Sequence, residues 1–173
     1  MATKLDITVA PLEDERVFRG CSIETCEKTV FDDGAVLARM FAQVKETVTG
    51  RVMPVVSAAV SFSPGEDGHY RFFMGDEVEG HVGKKAQEGL EDVRVPAGTL
   101  VAVVPVKFHM QASAALAAAK VRRAFYEDWL PGSGYVSATD LGFIDVELYH
   151  YRRRRFRRAR KMVLDLMFIV KPA

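Results

Sequence analysis

The stretch GFIDVELYHY, residues Gly142–Tyr151, decides how this chain is read. Its apolar residues alternate, the period of a β-strand with two unlike faces. In an extended strand, successive side chains point to opposite sides. Ile144, Val146, Leu148 and His150 then share one face, which suits packing under a helix. Phe143, Asp145, Glu147, Tyr149 and Tyr151 share the other, which mixes rings with two carboxylates. If that face is solvated, Glu147 is an ordinary surface acid. If it lines a groove, the same set is a receptor for an apolar or cationic ligand. Ring faces attract cations, and a partly desolvated carboxylate adds a directional term.

Downstream of this strand comes RRRRFRRARK (152–161), with eight basic residues in ten, and then a second strand candidate, MVLDLMFIV (162–170). The net charge of the chain is +1; without those eight residues, 16 basic stand against 23 acidic side chains, a formal −7. The reading is an acidic body with one basic hairpin. The hairpin is either a solubilising loop or a site for phosphates, nucleic acid or an acidic protein, with Arg153, Arg154 and Arg157 as its contacts. Nothing resembling a helix-turn-helix or a zinc finger accompanies it, so reading of a specific DNA sequence is not expected.

Upstream, a helix is predicted from about Ser113 to Leu130, with Leu116, Ala117, Val121, Ala124 and Phe125 on its core stripe and Pro131-Gly132 as its stop. Before it, TLVAVVPVKF (99–108) is a β-prone run in which Pro105 argues for an edge or a bulge. The first part of the chain repeats this order. LDITVA (5–10) and Arg16–Ile23 are extended. A helix follows across 30–50, with Val36, Leu37, Met40, Phe41, Val44 and Val48 as its apolar stripe, Asp32 or Asp33 as its cap and Gly50 at its end. PVVSAAVSF (54–62), the turn SPGEDG and HYRFFMGDEV (69–78) then form a hairpin. The chain thus reads strand–helix–strand–strand twice. Half one covers about 1–84 and half two about 91–173, joined by the polar linker GKKAQEGLED. The expected class is α+β: one domain with a largely antiparallel sheet, helices on one face and a groove between the halves.

The composition, 49% hydrophobic and 27% charged, is that of a globular chain. No apolar run approaches the roughly 18 residues of a membrane span, and the first residues carry no signal-peptide block, so a cytoplasmic protein without a membrane partner is expected. Cys21 and Cys26 read as free thiols. His69, His81, His109 and His150 show no metal-ligand spacing, and no cofactor fingerprint or hydrolytic elbow is present. No cofactor and no metal are expected.

Half two resembles the GyrI-like (gyrase-inhibitor-like) small-molecule-binding domain. Pro96-Ala97-Gly98 matches its strand entry. Tyr126, Trp129-Leu130 and Ser133-Gly134-Tyr135 match its helix end, Glu147-Leu148-Tyr149 its glutamate strand and Phe168 the aromatic of its closing strand. The match covers about 80 residues, and half one fits only in its order of elements. The resemblance implies a ligand groove between the halves, related to the effector-binding domain of multidrug-responsive transcription regulators. It implies a small hydrophobic or cationic ligand, with Glu147 as the ligand-facing acid and Tyr149 and Phe168 as ring contacts. Asp145 lies beside Glu147, and Tyr135 either closes the groove mouth or packs in its loop. Trp129 reads as a core plug. The arginine run departs from the family pattern. Some relatives hydrolyse reactive ring compounds, so a hydrolase using Glu147 as base and Tyr149 as donor is the alternative, with binding favoured.

Overall fold

The computed structural model describes residues 5–82, 85–108, 113–154 and 157–173. For 152–154 and 157–162 only the backbone is described. His109 and Phe156 therefore lie outside the described residues.

Half two builds around β6 (Leu100–Val106), α2 (Ala114–Ala124), β8 (Asp145–Arg154) and β9 (Arg157–Pro172). Half one builds around β2 (Arg16–Cys26), α1 (Val30–Val44), β3 (Val56–Ser61) and β4 (His69–Val78). The remaining strands are β1 (Thr8–Pro11), β5 (Glu91–Val95) and the short β7 (Tyr135–Ser137). All described pairings are antiparallel, in the order β1-β6-β9-β8-β3-β4-β2-β5, with β7 continuing along β9. The expected α+β architecture is present, and the order is palindromic about the β8–β3 seam. Each half also lends an edge strand to the other: β1 borders β6 of half two, and β5 borders β2 of half one.

Both helices lie on one face. Phe41 and Val44 of α1 sit over the β2–β4 side with Val17, Val78 and Met74. Ala114, Ala118 and Phe125 sit over Ala102, Val104, Leu166 and Phe168. The other face carries no described helix. There the sheet curls until Val93 and Val95 of β5 meet Val101 of β6 in one apolar cluster with Val146, Leu148 and Phe73. Two facing glycines allow the tight approach of β2 and β4. A Cβ on Gly20 would lie 1.9 Å from the Met74 carbonyl oxygen, and one on Gly75 would lie 2.6 Å from that of Arg19.

Several sequence expectations change. Val146 and Leu148 pack in the helix-free cluster, so the face expected under a helix is the one without it. The helices cover the acid-and-ring face instead. Phe143 precedes the regular pleat of β8 and turns into the helix-free cluster, pairing with Phe62. In α1, Val36 and Met40 face outward, and in α2 Leu116 does, because Ala114 and Ala118 take the buried positions. The α2 helix also stops earlier than expected. It passes at Phe125 into a wider π turn and then a 3₁₀ turn through Gly132. Asp33 is not a cap but accepts a 2.6 Å hydrogen bond from Thr25 Oγ1, one strand away. Gly50 lies beyond the helix end, with φ +68° and Val82 packed against it. Part of the linker is strand β5. The described parts of the arginine run, 152–154 and 157–161, are ladder, with Arg152 opposite Lys161 and Arg153 opposite Arg160. Pro105 sits past the last β6 residue paired with β1, at a local edge.

Candidate functional site

The seam between the halves is roofed on either side by a helix, and small residues keep the roof open. Ala38 and Ala42 of α1 and Ala114 and Ala115 of α2 are too short to reach across. Between them lies a cleft of about 590 Å³, within the range of small-molecule sites. Its floor is the β8–β3–β4 region, where the register sets Tyr149 opposite Ser57 and Ser57 opposite Asp76. Tyr149, Tyr151, Phe41 and Met74 supply rings and a polarisable thioether. Lys45, Glu46, Arg51 and Asp76 supply charge.

Glu147 stands one pleat beyond Tyr149 on the same face, and Tyr149 screens it. The Tyr149 hydroxyl donates to Glu147 Oε2. Arg122 Nη2 lies 2.8 Å from Glu147 Oε1 and 2.8 Å from Asp145 Oδ1, and Arg122 Nε lies 3.1 Å from Asp145 Oδ2. Arg122 projects from α2 onto β8, so one guanidinium bridges both acids. Burial alone would favour its neutral form. The two carboxylates outweigh that and raise its pKa further, so it stays charged. Two carboxylates against one guanidinium leave a formal charge of −1. Tyr149 is held protonated, chiefly by burial and then by the Glu147 charge. The Tyr126 hydroxyl, also buried, meets no well-aligned hydrogen-bond partner among the described residues although Asp145 is near, and its pKa is raised by burial first and the Asp145 charge second.

Across the floor on β4, Asp76 is 2% exposed yet lines the cleft. Ser57 Oγ donates to its Oδ1 at 2.6 Å, and Arg51 Nη1 lies 3.4 Å from its Oδ2. Arg51 also reaches Glu46 at 3.4 Å. On β2 beyond it, buried Arg19 is committed to Asp92, at 2.7 Å and 2.9 Å, and to the Lys85 carbonyl. Asp76 was missed in the sequence. The signal was present in HYRFFMGDEV, where Phe72, Met74, Asp76 and Val78 alternate onto one face and place an acid on an apolar stripe.

The structure separates the remaining candidates. Phe168 is buried beneath α2, with Phe125 stacked on it at 3.7 Å between ring centroids. Trp129 stacks on Phe125 and Tyr135 on Trp129, so Tyr135 ends a four-ring stack outside the cleft lining. Trp129 is a packing residue, as expected. Of the large residues Phe72, Phe73 and Met74 on β4, only Met74 lines the cleft. Arg153, Arg154 and Arg157 fall in the β8–β9 ladder, and their side chains lie outside the described residues. His150 faces away from Glu147, with Nε2 3.0 Å from Asp165 but out of line for a hydrogen bond. Cys21 and Cys26 are free. Exposed Glu24, Asp67 and His69 gather within 4.8 Å, a grouping that sequence spacing does not show. No helix among the described residues is long and apolar enough to cross a membrane.

The sequence matches no family model and no curated protein. Among solved structures, the chain is similar to SAV2435 bound to tetraphenylphosphonium (TM-score 0.63, 8% identity, 96% of this chain and 94% of that one). It is similar to the C-terminal domain of EcmrR (TM-score 0.56, 12% identity, 99% and 100%). It also matches EcmrR within a complex with DNA (TM-score 0.57, 13% identity), covering 98% of this chain but 58% of the EcmrR chain. Identities this low speak for architecture alone, and the architecture they share with this chain is the GyrI-like fold.

Proposed function

We propose that the chain is a small-molecule-binding protein whose cleft between α1 and α2 takes a hydrophobic, preferentially cationic, ligand. The observation that carries this reading is the cleft itself: about 590 Å³, with Tyr149 and Tyr151 on its floor. Two tyrosine faces favour a delocalised or shielded cation. The Asp145–Arg122–Glu147 group behind Tyr149 adds a formal −1 that acts through the ring rather than by contact. A fold neighbour that holds tetraphenylphosphonium supports the ligand class. Hydrolysis by Glu147 has less support, because its two oxygens already serve Arg122 and Tyr149.

The test is thermal unfolding with tetraphenylphosphonium and with uncharged triphenylphosphine oxide. At about 100 times its Kd the cation should stabilise the fold by about 2.7 kcal/mol. Tyr149→Ala should abolish the shift, and the neutral compound should bind more weakly. A cation that produces no shift at millimolar concentration overturns the reading.

A further inference from the structure

We infer that Asp76, not Glu147, is the residue that touches the charged end of a ligand bearing a protonated amine, and that Arg51 is the partner it exchanges. This rests on the cleft being a ligand site. The two acids differ in how firmly they are held. Glu147 is locked by Arg122 at 2.8 Å and by the Tyr149 hydroxyl, and it is absent from the cleft lining. A ligand reaching it would have to displace Tyr149 and strand a largely buried guanidinium. Asp76 lines the cleft directly. Its Oδ1 is held by Ser57, but its Oδ2 meets Arg51 only at 3.4 Å, beyond an ordinary charge-assisted hydrogen bond.

Arg51 is also 3.4 Å from Glu46, so it is bound tightly to neither acid. The Glu46 side chain is 73% exposed. An ammonium entering the cleft takes Asp76 Oδ2, and Arg51 swings to Glu46 and water, where its charge is solvated. No charge is left buried and unpaired by this exchange, which is what makes it accessible. Arg19 does not compete for the vacated position, since its described bonds go to Asp92 and the Lys85 carbonyl. The preferred ligand is therefore an aromatic or bulky apolar amine whose body lies on Tyr149 and Tyr151.

Three probes separate contact from field: 1-naphthylmethylammonium, its neutral isostere 1-naphthylmethanol, and tetraphenylphosphonium, which has no N–H to donate. Affinities are measured by calorimetry on wild type, Asp76→Asn, Arg51→Ala and Glu147→Gln. Asp76→Asn keeps the acceptor for Ser57. It should weaken the ammonium at least tenfold and leave naphthylmethanol within twofold. Arg51→Ala, which removes the competitor, should tighten the ammonium several-fold. This opposite sign also serves if Asp76→Asn unfolds. Glu147→Gln should weaken both cations alike. Ammonium affinity unchanged in Asp76→Asn, or weakened in Arg51→Ala, overturns the assignment while leaving the cleft intact as a site. Wild type that binds none of the three overturns the cleft reading itself.

Discussion

At the scale of single residues, Arg122 carries more than its surface position on α2 suggests. It is the one described cation that both Asp145 and Glu147 contact. Removing it leaves two carboxylates on one strand face with no counter-charge, and both are largely covered. Breaking a fully buried pair in this way costs about 3–5 kcal/mol. Arg122 is 30% exposed, so Arg122→Met should cost about 2–3 kcal/mol in urea unfolding, discounted for solvent screening. The same variant should bind hydrophobic cations more tightly per folded molecule, because the local charge goes from −1 to −2. Unchanged stability would mean that water already solvates the acids. The residue scale is also where the sequence was least legible. Glu147 and Tyr149 stood out through the alternation of GFIDVELYHY, but their shared partner comes from a helix some 25 residues upstream. No spacing within the strand reports an arginine reaching in from outside. Asp76 was readable by the same alternation, and only the lack of a family motif in half one hid it.

At the scale of elements, strands were more legible than the faces they bury. The HYRFFMGDEV run is β4 to the residue, and the alternation in LDITVA places Leu5, Ile7 and Val9 against the α2 cluster. What misled was the assumption that the most apolar face lies under a helix. Here the sheet buries that face against itself by curling, and the helices rest on the mixed face, α2 through Ala114 and Ala118 and α1 through Phe41 and Val44. The start of α1 illustrates a second limit. The sequence offers Asp33 as a cap, yet its carboxylate is drawn to Thr25 on β2 and its pKa lies below the ordinary value, through the Thr25 hydrogen bond first and Thr29 second. A carboxyl with a depressed folded pKa stabilises the fold above the unfolded value of about 3.9, and that contribution is lost as pH falls through the lower folded value. Stability should therefore decline as pH falls below about 5, and Thr25→Val should make the decline shallower. Denaturant titrations across that range decide it, and parallel slopes for both proteins would remove the assignment.

At the scale of the whole molecule, the palindromic strand order was visible in outline as two strand–helix–strand–strand units. The exchange of β1 and β5 was not, since neither short strand carries a sign of its distant partner. The exchange has a direct test. Fragments 1–88 and 89–173 each contain one edge strand that belongs to the other. Co-expressed, they should purify as a one-to-one complex with a cooperative unfolding transition. Expressed alone, each should aggregate or fail to show that transition. Either fragment folding alone to a stable monomer would show that the borrowed edges are dispensable.

The same exchange shapes the order in which the chain can be completed as it is synthesised. β1 is synthesised before its neighbour β6, which follows about 90 residues later, and β6 is itself held by β9, which comes later still. Half one cannot close its own border until β5 emerges. Folding by finished halves, one behind the other, is therefore closed to this topology. The nascent chain must carry open strand borders until β6 and β9 have both been made, and its final zippering is dominated by pairings far apart in sequence, the slow class of contacts.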